Sequence, residues 1–293
     1  MKLSLVKSSG LAVLVAGMFV GSAFAGIAGT RHDLSGGSAT GSTYTPGAGS
    51  AELCVFCHTP HAADTGATKP PLWNRLTAAL GPYQMYNSVN STTIDGFVAA
   101  DPQGSISIAC LSCHDGTIAI DTVINAPGSG LIGTWGGGNW ASVSGAVTPG
   151  AQGVGNAGKM AVGAATNLGL DLRNDHPISI QYAGGPLTTA AALLTPGDPY
   201  LPAEFKDGAF KEAKSAGSSW WIDTGTVPLV RDKGDLVMYS RIDSGSAWAL
   251  ANPGLAEPFV ECATCHDPHG TTNATFLRIA NTGSALCLAC HDK

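Results

Sequence analysis

The sequence predicts a mostly irregular chain, with short helices at four Cys-x-x-Cys-His sites and a few short strands in the 175–245 region. Three observations predict it. Charged residues make up 12% of the chain, about half the usual quarter for globular domains. Glycine supplies 39 of 293 residues, nearly double its usual share of about 7%. Such a chain has little material for a conventional core, so something else must supply apolar bulk. The third observation is the cysteine pattern, which says what that something is.

All eight cysteines fall into four pairs with two residues between them: Cys54/Cys57, Cys110/Cys113, Cys262/Cys265 and Cys287/Cys290. Each pair is followed at once by a histidine: His58, His114, His266 and His291. A lone Cys-x-x-Cys fits a redox dithiol, a zinc site or a disulfide. None of these requires a histidine in the fifth place four times over. Covalent haem attachment does: two thioethers anchor the porphyrin and the adjacent imidazole takes the iron from one face. The sequence therefore predicts four covalently bound haem c groups. Burying flat apolar porphyrin stabilises the fold by roughly 25 cal/mol per Å², so the fold is expected to be haem-cored.

Four histidines remain: His32, His61, His176 and His269. They match in number the second axial ligands that four closed irons need. His61 and His269 recur at one offset, in CHTPH and CHDPH; His32 and His176 sit beside Asp33 and Asp175, which are placed to orient an imidazole. Methionine is the rival ligand, and Met85, Met160 and Met238 lack any repeated context. All eight histidines are thus expected to bind iron. His32 is expected on the first haem and His269 on the last.

The offset of three has a geometric meaning. Two histidines on opposite faces of one iron need alpha carbons about 12 Å apart, given metal–nitrogen bonds of about 2 Å. Three extended residues span at most about 10–11 Å, and on a helical turn about 5–6 Å. His61 is therefore expected to serve a haem other than that of His58, and His269 one other than that of His266.

The remaining segments set the organisation. The start, MKLSLVKSSGLAVLVAGMFVGSAFAG, has Lys2 and Lys7, an apolar run and a small-x-small site at Ala23–Ala25, the anatomy of a secretory signal peptide over residues 1–25. Its removal moves the net charge from −6 to −8, because two lysines and no acids leave with it. That balance argues against nucleic acid as a partner. No later segment reads as a membrane span, so the product is expected outside the cytoplasm, secreted or at the cell surface. Residues 26–293 are expected to form one tetrahaem domain, with a Gly/Ser-rich arm over 26–53 and a long insert at about 116–260. Within the insert, 133–158 reads as a glycine-rich loop and 178–182 as a short strand. Residues 203–215 read as a helix after Pro202, while WWID (220–223) and LVMYSR (236–241) read as paired strands. Trp220 and Trp221 read as packing residues. Asp115, Asp267 and Asp292 follow motif histidines and read as second-layer or solvated groups.

TRHDLS, CVFCHTPH, PPLWNR, CLSCHDGT, NDHPIS, VECATCHDPHG and CLACH together resemble the exported, filament-forming multihaem c-type cytochromes of the OmcE and OmcS type. The tetrahaem OmcE kind is the nearer likeness. The resemblance implies a line of stacked bis-histidine haems. It also implies head-to-tail polymers in which one axial histidine comes from the neighbouring subunit, at the position here held by His61. Other outer-surface or periplasmic cytochromes and metal oxides enter as partners through that likeness alone.

Two functional classes compete. A multihaem reductase needs an iron with an exchangeable position, often with lysine in place of the motif histidine. Here all four motifs end in histidine and eight histidines suffice to close every iron, so electron transfer without substrate chemistry is expected. Within that class, the 268 residues after the predicted cleavage give about 67 per haem over four haems. That is generous for a small periplasmic shuttle, the alternative, and suits a sheathed wire.

Overall fold

The computed structural model describes residues 26–34, 52–64, 70–75, 77, 81–86, 98–99, 101–118, 120, 123–125, 159–160, 162–175, 177–182, 209–211, 213–216, 219–225, 231–241 and 257–292. The expected signal peptide, the glycine-rich loop over 133–158 and His176 lie outside these residues. Irregular backbone dominates, interrupted by short helices and small antiparallel sheets, as the composition requires.

Helix α1, Ser107–His114, carries the second motif. The Ser105 hydroxyl accepts from the Ser107 N–H at 3.1 Å, meeting one of the donors a helix start leaves unpaired. Ile108 and Leu111 face a cluster with Tyr83, Met85, Leu172 and Ile178. The helix stops at Gly116, whose φ of +69° suits a residue without Cβ. A side chain there would also collide with Asn167, 2.4 Å from the ideal Cβ position.

The main sheet is antiparallel. Its strands are β1 (Ile180–Gln181), β3 (Lys214–Ala216), β4 (Ser219–Ile222), β5 (Leu236–Arg241) and β6 (Glu257–Val260), in the order β1-β6-β5-β4-β3. Trp220 lies opposite Met238, and Tyr239 opposite Phe259. Tyr182, Trp220, Ile222, Leu236 and Met238 form its core. The sheet positions the last two motifs. Strand β6 leads directly into α2 (Cys262–Cys265), which carries the third, and Leu286 and Cys290 of α3 (Ala285–Cys290), which carries the fourth, pack against the sheet core. A separate pair joins β2 (Ala209–Phe210) to β7 (His291–Asp292), opposing Phe210 and His291.

The fold class expected from the sequence matches this architecture, including the strands read at 178–182, 220–223 and 236–241. The helix expected over 203–215 is not found among the described residues of that span, 209–211 and 213–215. Instead 209–210 is a strand and 214–216, which runs one residue past the span, is another, because pairing with β7 and β4 satisfies their backbone groups and Phe210 packs edge-on against Tyr182. Long-range packing overrides the local helical preference of Ala, Lys and Glu. Trp220 and Trp221 are buried, as packing residues should be, and so are Met85 and Met238.

Leu236 is fully buried in the sheet core. Leu236→Ala should lower stability by about 2–5 kcal/mol, read as a lower denaturant midpoint. An unchanged midpoint would contradict the packing of β4 and β5 over the last two motifs.

Candidate haem sites

Each motif sits on a single helical turn. In the first, the His58 N–H donates to the Cys54 carbonyl at 2.7 Å. The His266 N–H donates to Cys262 and the His291 N–H to Cys287 in the same way. Positions i, i+3 and i+4 of such a turn share one face. Two thiols and one imidazole therefore point to the same side, the arrangement one flat ligand needs. All eight thiols are free.

Backbone carbonyls orient the motif imidazoles. Nδ1 lies 2.7 Å from the Pro71 oxygen in His58, 2.8 Å from the Thr166 oxygen in His114 and 2.9 Å from the Thr275 oxygen in His266. A proton on Nδ1 donated to the carbonyl leaves Nε2 as the lone-pair nitrogen for a metal. Three of the four motif histidines are thus fixed in the tautomer that ligation requires.

Two further imidazoles stand opposite them. The His58 and His269 rings lie 6.2 Å apart at 20°, and the His32 and His114 rings 6.2 Å apart at 82°. Metal–nitrogen bonds of about 2 Å, with about 1.1 Å from each nitrogen to its ring centre, put two axial imidazoles on one metal about 6 Å apart. The residues present therefore fit an iron held between each pair. The pairing differs from the one expected: His32 faces the second motif rather than the first, and His269 faces the first rather than the last. Sequence order does not govern it, because the Gly26 N–H donates to the His269 carbonyl, bringing the start of the described chain to the third site. His61 is exposed, and neither pair includes His266 or His291.

The electrostatics favour the ligating forms. Burial, helped by His114 nearby, lowers the His32 pKa to about 4. Burial also lowers that of His114. Both are neutral at pH 7, the state a metal binds. The Pro268 carbonyl lies near the His32 ring and partly opposes the shift, without completing a hydrogen bond to the buried Nδ1. Phe276 stacks on His32 at 4.3 Å. Asp267 accepts from the His269 N–H at 2.9 Å and lies 3.5 Å from its Nδ1, so it orients that ring. Asp115 is buried and accepts from Tyr83 and Thr117. Asp33 accepts from the Gly29 N–H and so braces the turn that carries His32.

Neighbouring thiols link consecutive sites. Burial pushes Cys57 up to about 12, with Cys113 adding to the shift. The Cys110 thiol hydrogen-bonds Cys262, which raises its own pKa. Burial pushes Cys265 up to about 11 and Cys290 to about 12, with Cys287 contributing to both. The attachment turns adjoin in chain order: Cys57 and Cys113 pack against one cluster, the Cys262 N–H donates to the Ser107 hydroxyl of α1, and Ile279 packs with Leu286 and Cys290. Between the second and third, the buried Glu261 accepts from Ser107 at 2.5 Å and from Ser179 at 3.1 Å, tying α1 to α2.

The first and third sites are one structural unit used twice. The backbone N–H of Thr59 donates to the Leu72 carbonyl and that of Asn74 to the Cys57 carbonyl; correspondingly, the backbone N–H of Asp267 donates to the Phe276 carbonyl and that of Arg278 to the Cys265 carbonyl. Asn74 Nδ2 reaches the Val55 oxygen at 2.6 Å, and Arg278 Nε the Ala263 oxygen at 2.9 Å. Leu72 and Phe276 even share a left-handed φ, +59° and +60°. The repeated CHxPH offset announces this unit in the sequence. The strap that closes it, 71–74 and 275–278, does not announce itself, because most of its contacts are backbone bonds.

The family of the doubled CXXCH motif matches residues 257–293, covering the third and fourth sites. The match supports a multihaem c-type cytochrome. Its CXXCH motifs indicate covalently bound haem c, and electron transfer is the role that follows for such a cytochrome. No curated protein matches the chain.

His269→Ala should open one iron while leaving covalent haem content unchanged. The expected readout is one carbon-monoxide-binding, high-spin haem per chain. A variant whose spectrum stays wholly low-spin would contradict the His58–His269 pairing.

Proposed function

We propose that this protein is a tetrahaem cytochrome acting as an electron conduit outside the cytoplasm, polymerised head to tail into a filament. The observation that carries this reading is the adjacency of consecutive attachment turns, together with imidazoles facing each other at 6.2 Å. Bound haem supplies a one-electron iron couple. The chain's own residues hold the two paired sites closed: His32 and His269 each complete a site whose cysteines lie elsewhere in the chain. With all eight histidines engaged no iron keeps an exchangeable position, so the protein is not an enzyme in this reading.

The repeated unit supports a role for His61 between subunits. His269, the second histidine of the CHDPH segment at the third site, faces His58 of the first. His61 is its structural counterpart in the first site, and it is exposed. A second copy offering His266 in the relation that His58 has to His269 would continue the same pattern across a subunit boundary. His176 is then left for His291, as His32 is for His114. Each chain alone has one incomplete iron, and assembly completes it. Secretion follows from the expected signal peptide, and other exported cytochromes or metal oxides would take the electrons.

Electron microscopy of the secreted fraction tests this. Filaments are expected from the native protein. His61→Ala should abolish them while keeping all four covalent haems. Filaments with normal low-spin spectra in that variant would reject the inter-subunit role, and single particles confined to the periplasm would favour a soluble shuttle.

A further inference from the structure

We propose that Arg75 is a positioning residue at the junction of the first and second sites, and that its charge favours the reduced state of the irons held there. This rests on the haem reading above. Arg75 is 1% exposed. Its Nε reaches the Ser112 hydroxyl at 3.2 Å, one terminal nitrogen the Ser112 carbonyl at 3.0 Å and the other the Ile120 carbonyl at 2.5 Å. Ser112 lies between Cys110 and Cys113 of the second site. The preceding residue, Asn74, grips the first site through the Val55 and Cys57 carbonyls. Adjacent residues therefore hold two different attachment turns, and the guanidinium grips Ile120, the residue whose cluster with Phe56 packs against both Cys57 and Cys113.

The repeated unit supplies an internal control. Asn74 corresponds to Arg278, so Arg75 corresponds to Ile279, which packs against the sheet core beside Leu286 and Cys290 of the fourth site. The junction of the third and fourth sites is thus built with an apolar side chain. Geometry alone does not require a cation at this position, and burying one carries a desolvation cost. What the cation adds is electrostatic. Reducing an iron adds one negative charge, and a buried positive charge nearby stabilises it in the low-dielectric interior. The chain is therefore asymmetric: its first two sites hold electrons more readily than an Ile279-type junction would allow.

Spectroelectrochemical titration of Arg75→Lys, Arg75→Gln and Arg75→Ile against the native protein tests this. Gln keeps hydrogen-bonding capacity without charge, and Ile copies the other junction. Both should shift part of the titration to more negative potential by about a tenfold change in the reduced-to-oxidised ratio, about 59 mV for one electron. Lys should retain the native curve more closely, and the rest of the curve should stay in place. Gln and Ile curves that overlay the native one, a uniform displacement of the whole curve, or loss of all haem from every variant would each overturn the proposal. Native protein without haem would instead refute the haem reading itself.

Discussion

Two thiols and an imidazole can grip one flat ligand only if they project from the same side of the backbone. A helical turn with two residues between the cysteines achieves this, and the rest of the structure follows from repeating it. The turns need be no longer than four to eight residues. They gain most of their stability from what they hold, since isolated helices of this length are marginal in water. That is why a chain so rich in glycine and poor in charge can still take a defined shape.

The second constraint is that an iron closed on both faces needs a partner imidazole from another part of the chain. His32 reaches the second site and His269 the first. The first crossing ties the segment at 26–33, whose Thr30 and Asp33 bonds form a compact turn, to α1, and the second ties the first site to the C-terminal third. On the proposed reading haem binding and long-range topology are one event, and the small sheet mainly braces the third and fourth sites.

The attachment sites were legible because Cys, Cys and His carry their chemistry in residue type and spacing. The strands around Trp220 and Leu236 were legible because each carries a short run of apolar, aromatic or β-branched residues. The pairing of His32 with His114 was not, since it depends on how the chain returns through space. Nor were the carbonyls of Pro71, Thr166 and Thr275 that set the imidazole tautomers: any residue supplies a carbonyl. Residues 209–216 misled for a related reason. Their side chains favour a helix, but the edges offered by β4 and β7 are formed by residues elsewhere in the sequence. Arg75 was hidden in a recognisable motif, PPLWNR, whose last position takes meaning only beside its apolar counterpart Ile279.

The central claim is that four iron porphyrins are fixed to this chain and packed in order along it. Intact mass measurement of the purified native protein, with haem content from its absorbance, tests it most directly. The account predicts a red protein carrying four haem c groups per polypeptide through eight thioether bonds. A colourless product, or one with fewer than four groups or with free thiols in any motif, would contradict it.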